Sequence, residues 1–111
     1  ELARDAFRDQ FVRPEDRRGT IDTIQRHVAG VFKLSTRELL SRTNKHTVVQ
    51  PRQVAMYLCH KLAGASLPET GRRFGGKHHS TVLHSISKVE DRMAAEPDFH
   101  KLIHSIIEAL Q

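Results

Sequence analysis

The sequence predicts an all-α domain of six helices that contains a helix-turn-helix and is preceded by a connecting helix. Two observations support this fold class. Apolar residues recur at intervals of three and four along most of the 111 residues, whereas no segment alternates apolar and polar residues as a half-buried strand does. Prolines, glycines and capping residues divide this pattern into segments of helical length. A chain of this length can bury one modest core, so we expect a single domain.

Residues 1–19 are predicted to form a connecting helix and linker, and residues 20–111 the domain itself. Residues 2–12 are charged and amphipathic, and their apolar stripe comprises Leu2, Ala3, Ala6, Phe7 and Phe11. Pro14 and Gly19 follow this segment and favour its termination. Because the chain begins with Glu1 rather than Met, we expect it to be part of a longer protein.

The next helix is predicted to begin at Thr20, a suitable N-cap residue, and to extend to about residue 32. Its apolar side chains have the spacing of one helix face: Ile21, Ile24, Val28, Val31 and Phe32. Ser35 and Glu38 have the spacing of a capping box, in which each side chain accepts a hydrogen bond from the other residue's backbone N–H. They predict a short helix that ends near Arg42.

Residues 41–50, SRTNKHTVVQ, lack a helical period and combine basic residues with hydroxyl and amide side chains, which predicts a polar, basic loop. Pro51 follows at a position typical of a helix start. The helix predicted over residues 51–63 ends at Gly64 and directs inward Val54, Ala55, Leu58 and Leu62. Cys59 lies beside this stripe and is predicted to be a core residue, since a lone cysteine cannot form an internal disulfide.

A short helix is predicted over residues 66–74, with Ser66 as its N-cap and a turn at Gly75 and Gly76 after it. A longer helix is then predicted from His79 to just before Pro97. Its inner face is predicted to carry Val82, Leu83, Ile86, Val89 and Met93, and its outer face Ser80, Thr81, His84, Ser85 and Lys88. The last helix has an apolar stripe of Phe99, Leu102, Ile103, Ile106, Ile107 and Leu110.

A short helix, a glycine turn and a helix with a polar outer face form the arrangement of a helix-turn-helix, whose second helix enters the major groove of DNA. No carboxylate lies between Phe74 and Glu90. Eighteen Lys and Arg against thirteen Asp and Glu give the chain a net charge of +5. Such a charge attracts polyanions, so double-stranded DNA is the predicted partner.

The residues of this unit also match a longer pattern. Its members are Gly71, Phe74, Gly75, Lys77, His79, Ser80, Thr81, Val82, Leu83, Ser85, Lys88 and Val89. With TIDTIQ at 20–25, PRQVAMYL at 51–58 and SLPETG at 66–71, the chain from about residue 20 to residue 110 resembles the C-terminal DNA-binding domain of the bacterial replication initiator DnaA family. Residues 2–12 are similar to the helix that joins that domain to the family's ATPase domain.

The resemblance implies a Trp-repressor-like helix-turn-helix that binds short asymmetric boxes in double-stranded DNA at a replication origin, for the initiation of chromosomal replication. The helix after GGK is expected in the major groove and the basic loop in the adjacent minor groove. Base contacts in the major groove are expected of His78, His79 and Ser80. Phosphate contacts are expected of Arg52, Gln53, Lys77, Thr81, His84 and Lys88. The minor-groove loop comprises Arg42, Asn44, Lys45 and His46.

Elementary chemistry agrees with these expectations. Unpaired N–H groups and the dipole at a helix start favour a phosphate, which Lys77 would further neutralise. Hydroxyl and imidazole groups can hydrogen-bond base edges. Three residues depart from the family pattern. His78 replaces an Asp that would cap the helix and accept from a cytosine amino group, while Asn44 and His46 replace minor-groove arginines.

This chain is not expected to be an enzyme, and no catalytic residue, metal or cofactor is predicted for it. The resemblance places ATP or ADP with Mg²⁺ in the upstream part of the family's longer proteins. It also implies self-assembly through that longer protein, contact with acidic phospholipids, and a cytoplasmic, nucleoid-associated location. No apolar run in the sequence is long enough to span a membrane.

Other interpretations arise from the same residues. Residues 71–77 have the G-x-x-x-x-G-K spacing of a phosphate-binding loop, although His78 replaces the hydroxyl residue that would hold Mg²⁺. His100, His104 and Glu108 lie four residues apart on one helix, where they could hold zinc or simply form a solvated face. The same domain could instead belong to a stand-alone transcriptional regulator or a transposase-like protein, or serve mainly to bind protein partners.

Overall fold

The computed structural model describes residues 14–111, which form six helices and no strand. In chain order these are α1 (Pro14–Val31), α2 (Thr36–Leu39), α3 (His46–Ala63), α4 (Leu67–Arg73), α5 (His79–Ala95) and α6 (Pro97–Leu110). The predicted all-α, six-helix fold is therefore confirmed. The connecting helix predicted over residues 2–12 lies outside the described residues. None of the helices within residues 14–111 has the length and apolar character needed to cross a membrane.

The predicted start of the second helix at Thr20 is wrong, because α1 already includes Pro14 and continues through Gly19. The Thr20 hydroxyl does not cap a helix start; it donates to the Asp16 carbonyl one turn earlier, at 3.3 Å. Glycine inside a helix costs about 1 kcal/mol relative to alanine. Tertiary contacts offset this cost, since Arg17 Nε donates to the Ala63 carbonyl at 3.2 Å and ties this turn to the end of α3.

Three of the predicted helix caps are confirmed. Ser35 Oγ accepts from the Glu38 N–H at 3.0 Å and the Glu38 carboxylate accepts from the Ser35 N–H at 3.0 Å, so the predicted capping box is confirmed. Ser66 Oγ accepts from the Glu69 N–H at 3.1 Å at the start of α4. Gly64 ends α3 with φ of 70°, a left-handed conformation that glycine adopts without strain.

The predicted helix start at Pro51 is also wrong, because α3 begins at His46 and contains Pro51 in its second turn. Proline inside a helix removes a backbone hydrogen bond and costs about 3 kcal/mol. Here Val48 and Pro51 are both buried and extend the apolar stripe of α3 toward its amino end, which offsets the cost. The predicted loop of residues 41–50 is therefore confined to the residues between Leu39 and His46.

Helix α3 occupies the centre of the domain and contacts α1, α2, α4 and α5. Its buried side chains meet those of α1, α5 and α6 in one core, whose largest fully buried members are Phe74, Ile21, Ile24, Leu39, Met56, Leu58, Ile103, Val28, Val54 and Val82. Cys59 is fully buried there, as predicted, and this burial raises the pKa of its thiol to about 12. The predicted stripe of α6 is confirmed, with Phe99, Ile103 and Ile106 buried.

The inner face of α5 differs from the prediction at two residues. Leu83 is 55% exposed, while Ser85, predicted on the outer face, is only 5% exposed. The core-facing line of α5 follows Val82, Ile86 and Val89. Because each residue turns the helix by about 100°, Leu83 lies about 100° from Val82 on one flank, while Ser85 lies only about 60° away on the other. The short Ser85 side chain is therefore buried, and Leu83 remains exposed.

Candidate nucleic-acid interface

The turn between α4 and α5 is closed by one carbonyl group. The Gly71 carbonyl accepts from the N–H groups of Phe74 at 3.2 Å, Gly76 at 3.0 Å and Lys77 at 2.9 Å. A Cβ at position 71 would lie 2.0 Å from the Lys77 carbonyl oxygen, so only glycine fits there. Gly75 and Gly76 have φ of 83° and 80°, which L side chains rarely adopt. The turn predicted at Gly75 and Gly76 is therefore confirmed.

This arrangement is incompatible with the phosphate-binding-loop interpretation of residues 71–77. Such a loop offers free backbone N–H groups to phosphate oxygens. In this turn, three of the N–H groups already donate to the Gly71 carbonyl. Gly71 itself belongs to helix α4, whereas a phosphate-binding loop follows a strand.

Three polar contacts fasten α4 to α1 and fix the orientation of the turn, and one of them is the ion pair of Arg17 with Glu69 at 3.2 Å. The buried Gln25 amide donates to the Arg73 carbonyl at 2.7 Å, at the last residue of α4. Arg73 also forms an ion pair with Asp22 of α1. Phe74, fully buried beside them, anchors the start of the turn in the core. The helix-turn-helix is thus held as one rigid unit with the rest of the domain.

His78 caps helix α5 even though imidazole is an unusual capping group. Its Nδ1 accepts from the Ser80 N–H at 3.1 Å and lies 2.8 Å from Ser80 Oγ. The rings of His78 and His79 lie against each other with their centroids 4.2 Å apart. When Nδ1 accepts this bond, the ring proton is on Nε2, so the exposed edge of His78 presents a hydrogen-bond donor. The Asp of the family pattern would present only acceptors.

The exposed surface of residues 77–88, at the cap and in the first turns of α5, is mostly polar and contains no carboxylate. Its exposed residues are His78, His79, Ser80, Thr81, Leu83, His84, Ser87 and Lys88, with Lys77 half-buried beside them. Glu90, the first carboxylate along this helix, forms an ion pair with Lys61 at 3.7 Å. We call this surface the α5 face. All residues predicted to contact bases, and four of the six predicted to contact phosphates, lie on it.

The basic loop lies close to the helix-turn-helix turn. A Cβ on Gly75 would be 3.1 Å from the Leu40 carbonyl oxygen, so the start of the loop touches the turn directly. Arg42, Asn44 and Lys45 are exposed in this loop, as predicted. His46 is exposed as well, but it is the first residue of α3 rather than a loop residue, and its Nε2 contacts the Gln50 amide at 2.9 Å.

Arg52 differs most from its predicted role as a phosphate ligand. The residue is only 4% exposed. Its Nε donates to the Leu39 carbonyl at 2.9 Å, Nη1 to the Thr43 carbonyl at 3.1 Å and Nη2 to the Ser41 carbonyl at 2.7 Å. Burial lowers the pKa of the guanidinium from its ordinary value. Gln53, predicted to act with Arg52, is half-buried and retains an exposed part.

A signal for the burial of Arg52 exists in the sequence once α3 is extended to His46. Arg52 then lies one turn after Val48 and one turn before Met56, and both of these residues are buried. Because residues four apart share a helix face, Arg52 belongs to the inner face of α3. The prediction that this helix starts at Pro51 left Val48 outside it, so the face shared by Val48, Arg52 and Met56 was not recognised.

The histidines of α6 do not form a metal site with Glu108. The rings of His100 and His104 pack with centroids 4.4 Å apart. Among the residues that the structure describes, no group of three or more His, Cys, Asp or Glu side chains is arranged to hold a metal ion. These side chains instead form the solvated face opposite the buried stripe of α6.

Comparison with known proteins gives a consistent result. The family model described as the bacterial dnaA protein helix-turn-helix matches residues 21–89. A chromosomal replication initiator protein DnaA from Geobacter sp. (strain M21) is 40% identical over 109 residues, which cover 98% of this chain and 24% of that protein. The corresponding protein of Bartonella quintana (strain Toulouse) is 54% identical over 77 residues, covering 69% of this chain and 16% of that protein.

A solved structure agrees at the level of the fold. The crystal structure of a DNA replication initiation factor superposes with a TM-score of 0.78 at 30% identity, covering 86% of this chain and 29% of that one. The chain thus spans about a quarter of the length of such relatives. The matched residues include α3, α4, the glycine turn and the start of α5. The chain therefore belongs to the family of the bacterial DnaA helix-turn-helix, the C-terminal DNA-binding domain of chromosomal replication initiators.

Proposed function

We propose that this chain binds double-stranded DNA sequence-specifically at short origin boxes and contributes in this way to the initiation of chromosomal replication. The observation that carries the proposal is the α5 face, an exposed helix surface without carboxylates that follows a rigid helix-turn-helix turn. Family membership supports the same role, since the matched relatives are named chromosomal replication initiator proteins. Because those relatives are about four times longer, nucleotide binding with Mg²⁺, self-assembly and contact with acidic phospholipids are proposed only for a longer protein of which this domain would be part.

In the proposed complex, α5 lies in the major groove, whose width of about 12 Å accommodates a helix. At about 100° per residue, Ser80, His84 and Ser87 point most directly away from the core. Thr81 and Lys88 lie on one flank of this line. A helix seated in the groove would direct the central residues to base edges and the flanking ones to a phosphate strand.

The helix start would determine most of the base readout. Ser80 Oγ and the ring of His79 can hydrogen-bond base edges, because both are exposed in the first turn of α5. His78 would add a donor through Nε2, which suits the acceptors N7 and O6 of guanine. Lys77 lies next to this turn and would neutralise a nearby phosphate.

The basic loop would enter the minor groove beside the major-groove segment that α5 occupies. Arg42 and Lys45 supply positive charge, which the narrow minor groove attracts strongly. Asn44 can donate to the acceptors that A·T pairs present there. His46, at the start of α3, would approach the same strand from the other side of the loop. Gln53 would contact the phosphate backbone near that helix start.

Selection of bound sequences from a random pool of double-stranded DNA tests this function directly. We expect a short asymmetric consensus box, and an affinity for that box that falls steeply as the salt concentration rises. A double substitution of His79 and Ser80 by Ala should remove the preference for the box while leaving weak binding to random DNA. Recovery of random sequences by the wild-type protein, or equal affinity for DNA with and without the box, would refute sequence-specific binding.

A further inference from the structure

We infer that Arg52 is a positioning residue, which holds the basic loop in its DNA-binding conformation instead of contacting a phosphate itself. The inference rests on the proposed function, because it concerns how the loop is prepared for the minor groove. The structural part of the inference can nevertheless be tested without DNA. It follows from three hydrogen bonds that run from one buried side chain to three carbonyls of a single short segment.

The guanidinium of Arg52 is suited to this task because it is planar and carries five donors in a fixed geometry. Nε and the two terminal nitrogens all bond carbonyls, at 2.9 Å to Leu39, 3.1 Å to Thr43 and 2.7 Å to Ser41. These carbonyls belong to the end of α2 and to the loop, so the side chain joins both to α3. Without such a donor, the Leu39 carbonyl at the end of α2 would need another partner.

The loop has few other restraints of its own. Within it, the Thr43 N–H donates to Ser41 Oγ at 3.4 Å, and the Lys45 N–H donates to Thr43 Oγ1 at 3.2 Å. The Ser41 hydroxyl also donates to the Glu38 carbonyl at 2.7 Å, so α2 holds the start of the loop. Thr43, whose hydroxyl accepts from Lys45, is bound through its carbonyl by Arg52. Arg42 and Lys45 are exposed between these anchor points. Arg52 therefore fixes the backbone that presents both cations.

The proximity of the loop to the turn extends this effect to the rest of the interface. Leu40, next to the carbonyl of Leu39 that Arg52 binds, touches Gly75 in the helix-turn-helix turn. The buried guanidinium thus sets the position of the basic loop relative to the start of α5. Simultaneous contact with two adjacent grooves requires a fixed separation of these elements, and preorganisation reduces the entropy lost on binding.

Substitution by lysine separates positioning from charge. Arg52→Lys keeps the positive charge, but a single ammonium group cannot reproduce the planar set of three bonds. Arg42→Lys is the matched control, because it makes the same chemical change at an exposed residue of the same loop. In the free protein we expect the amides of Thr43 and Lys45 to exchange with solvent at least tenfold faster in Arg52→Lys than in the wild type or the control. Unchanged exchange at these two amides would overturn the positioning role.

DNA binding supplies the second readout. We expect Arg52→Lys and Arg52→Ala to weaken binding to the selected box to a similar extent and to flatten the salt dependence by one to two units, about the contribution of Arg42 and Lys45 together. In a background where Arg42 and Lys45 are both Ala, either substitution should have less than a twofold further effect. If Arg52 were a phosphate ligand, Arg52→Lys would retain most of the affinity and the effects would be additive.

A measurement on the wild-type protein covers the case in which the variants do not fold. The Nε–H of a hydrogen-bonded, buried arginine exchanges slowly enough to be followed by NMR. We expect the Arg52 Nε–H to be protected in the free protein and to stay protected, with little change in chemical shift, when the box is added. Loss of protection on DNA binding would show that the side chain moves to the phosphates. If the wild type bound no DNA, the proposed function would fail, while the exchange in the free protein would still test the positioning of the loop.

Discussion

At the scale of single residues, His78 shows how one substitution can preserve a structural role while changing the chemistry that faces a partner. Its Nδ1 accepts from the Ser80 N–H, which is the bond that a capping carboxylate makes at a helix start. Its remaining ring nitrogen then presents a donor, whereas an Asp in the same place presents acceptors. His78 therefore caps the helix as an Asp would, but it is predicted to prefer a base that offers acceptors instead of one that offers an amino donor.

We accordingly predict that His78→Asp will keep the stability of the domain and change its preference at one base pair, from guanine to a base with an amino donor such as cytosine. The measurement is binding to a panel of box variants that each differ at one base pair. His78→Ala is the control: it removes the cap, which should lower the free energy of unfolding by about 1 kcal/mol, and it should relax the preference without inverting it. Identical base preferences for all three proteins would show that residue 78 serves only as the cap.

Val82 and Leu83 provide a second comparison at this scale, because neighbouring apolar residues have opposite environments. Val82 is fully buried, whereas Leu83 is mostly exposed. Val82→Ala should lower the free energy of unfolding by about 2 kcal/mol, and Leu83→Ala should change it by less than about 0.5 kcal/mol. Urea titration of both variants checks this difference. A larger loss for Leu83→Ala would mean that the flank of α5 is covered in solution.

At the scale of the elements, the helix-turn-helix depends on backbone space as much as on sequence pattern. Position 71 requires glycine because a Cβ there would lie too close to the Lys77 carbonyl oxygen. The carbonyl of Gly71 itself accepts the three hydrogen bonds that close the turn. Gly19 is the opposite case: it lies inside α1, and outside that helix's own backbone no atom of residues 14–111 comes within 4 Å of the position of a Cβ. The same residue type is thus indispensable in one helix and replaceable in another.

Substitution by alanine at these two glycines should therefore have opposite effects. Gly71→Ala places a Cβ 2.0 Å from the Lys77 carbonyl oxygen, so the turn must shift, at a cost on the order of 3 kcal/mol. Gly19→Ala removes backbone freedom from the unfolded chain and should stabilise the domain by about 0.5 to 1 kcal/mol. Thermal unfolding monitored by circular dichroism measures both. If Gly19→Ala destabilised the domain, the continuation of α1 through this residue would be in error.

At the scale of the whole molecule, one core supports both elements of the proposed DNA interface. Cys59 lies in that core on α3, the helix that packs against α1, α2, α4 and α5. Its burial raises the pKa of the thiol from its ordinary value of 9.0 to about 12. The protonation of one buried thiol therefore reports on the folding equilibrium of the entire domain.

The sign of the resulting pH dependence follows from this shift. Between pH 9 and about 12 the folded protein retains the thiol proton while the unfolded chain loses it, so stability falls as the pH rises through this window. The slope attributable to Cys59 should approach about 1.4 kcal/mol per pH unit. Comparison of urea titrations at pH 8 and pH 10 for the wild type and Cys59→Ala checks it, because the buried Tyr57 adds a similar trend to both proteins. Equal slopes would contradict the assignment.

The sequence by itself determined the features whose partners lie within one helical turn. The capping box of Ser35 and Glu38, the Ser66 cap, and the left-handed Gly64, Gly75 and Gly76 were predictable because local backbone chemistry specifies them. The family resemblance likewise followed from the sequence, through the residues around the glycine turn and the segments at 20–25, 51–58 and 66–71. The inner and outer faces predicted for α5 from its helical period are confirmed except at two residues: Leu83 is exposed and Ser85 is buried.

Only the tertiary structure decided where α1 and α3 begin, which flank of α5 is covered, and what Arg52 contacts. Gly19 and Pro51 are local signals for a helix boundary, but the contact of Arg17 with Ala63 and the burial of Val48 outweigh them. The three carbonyls that bind Arg52 lie nine to thirteen residues before it, beyond the range of any helical period. Local propensities amount to a few kcal/mol at most, so burial and long-range hydrogen bonds override them wherever the folded chain brings distant groups together.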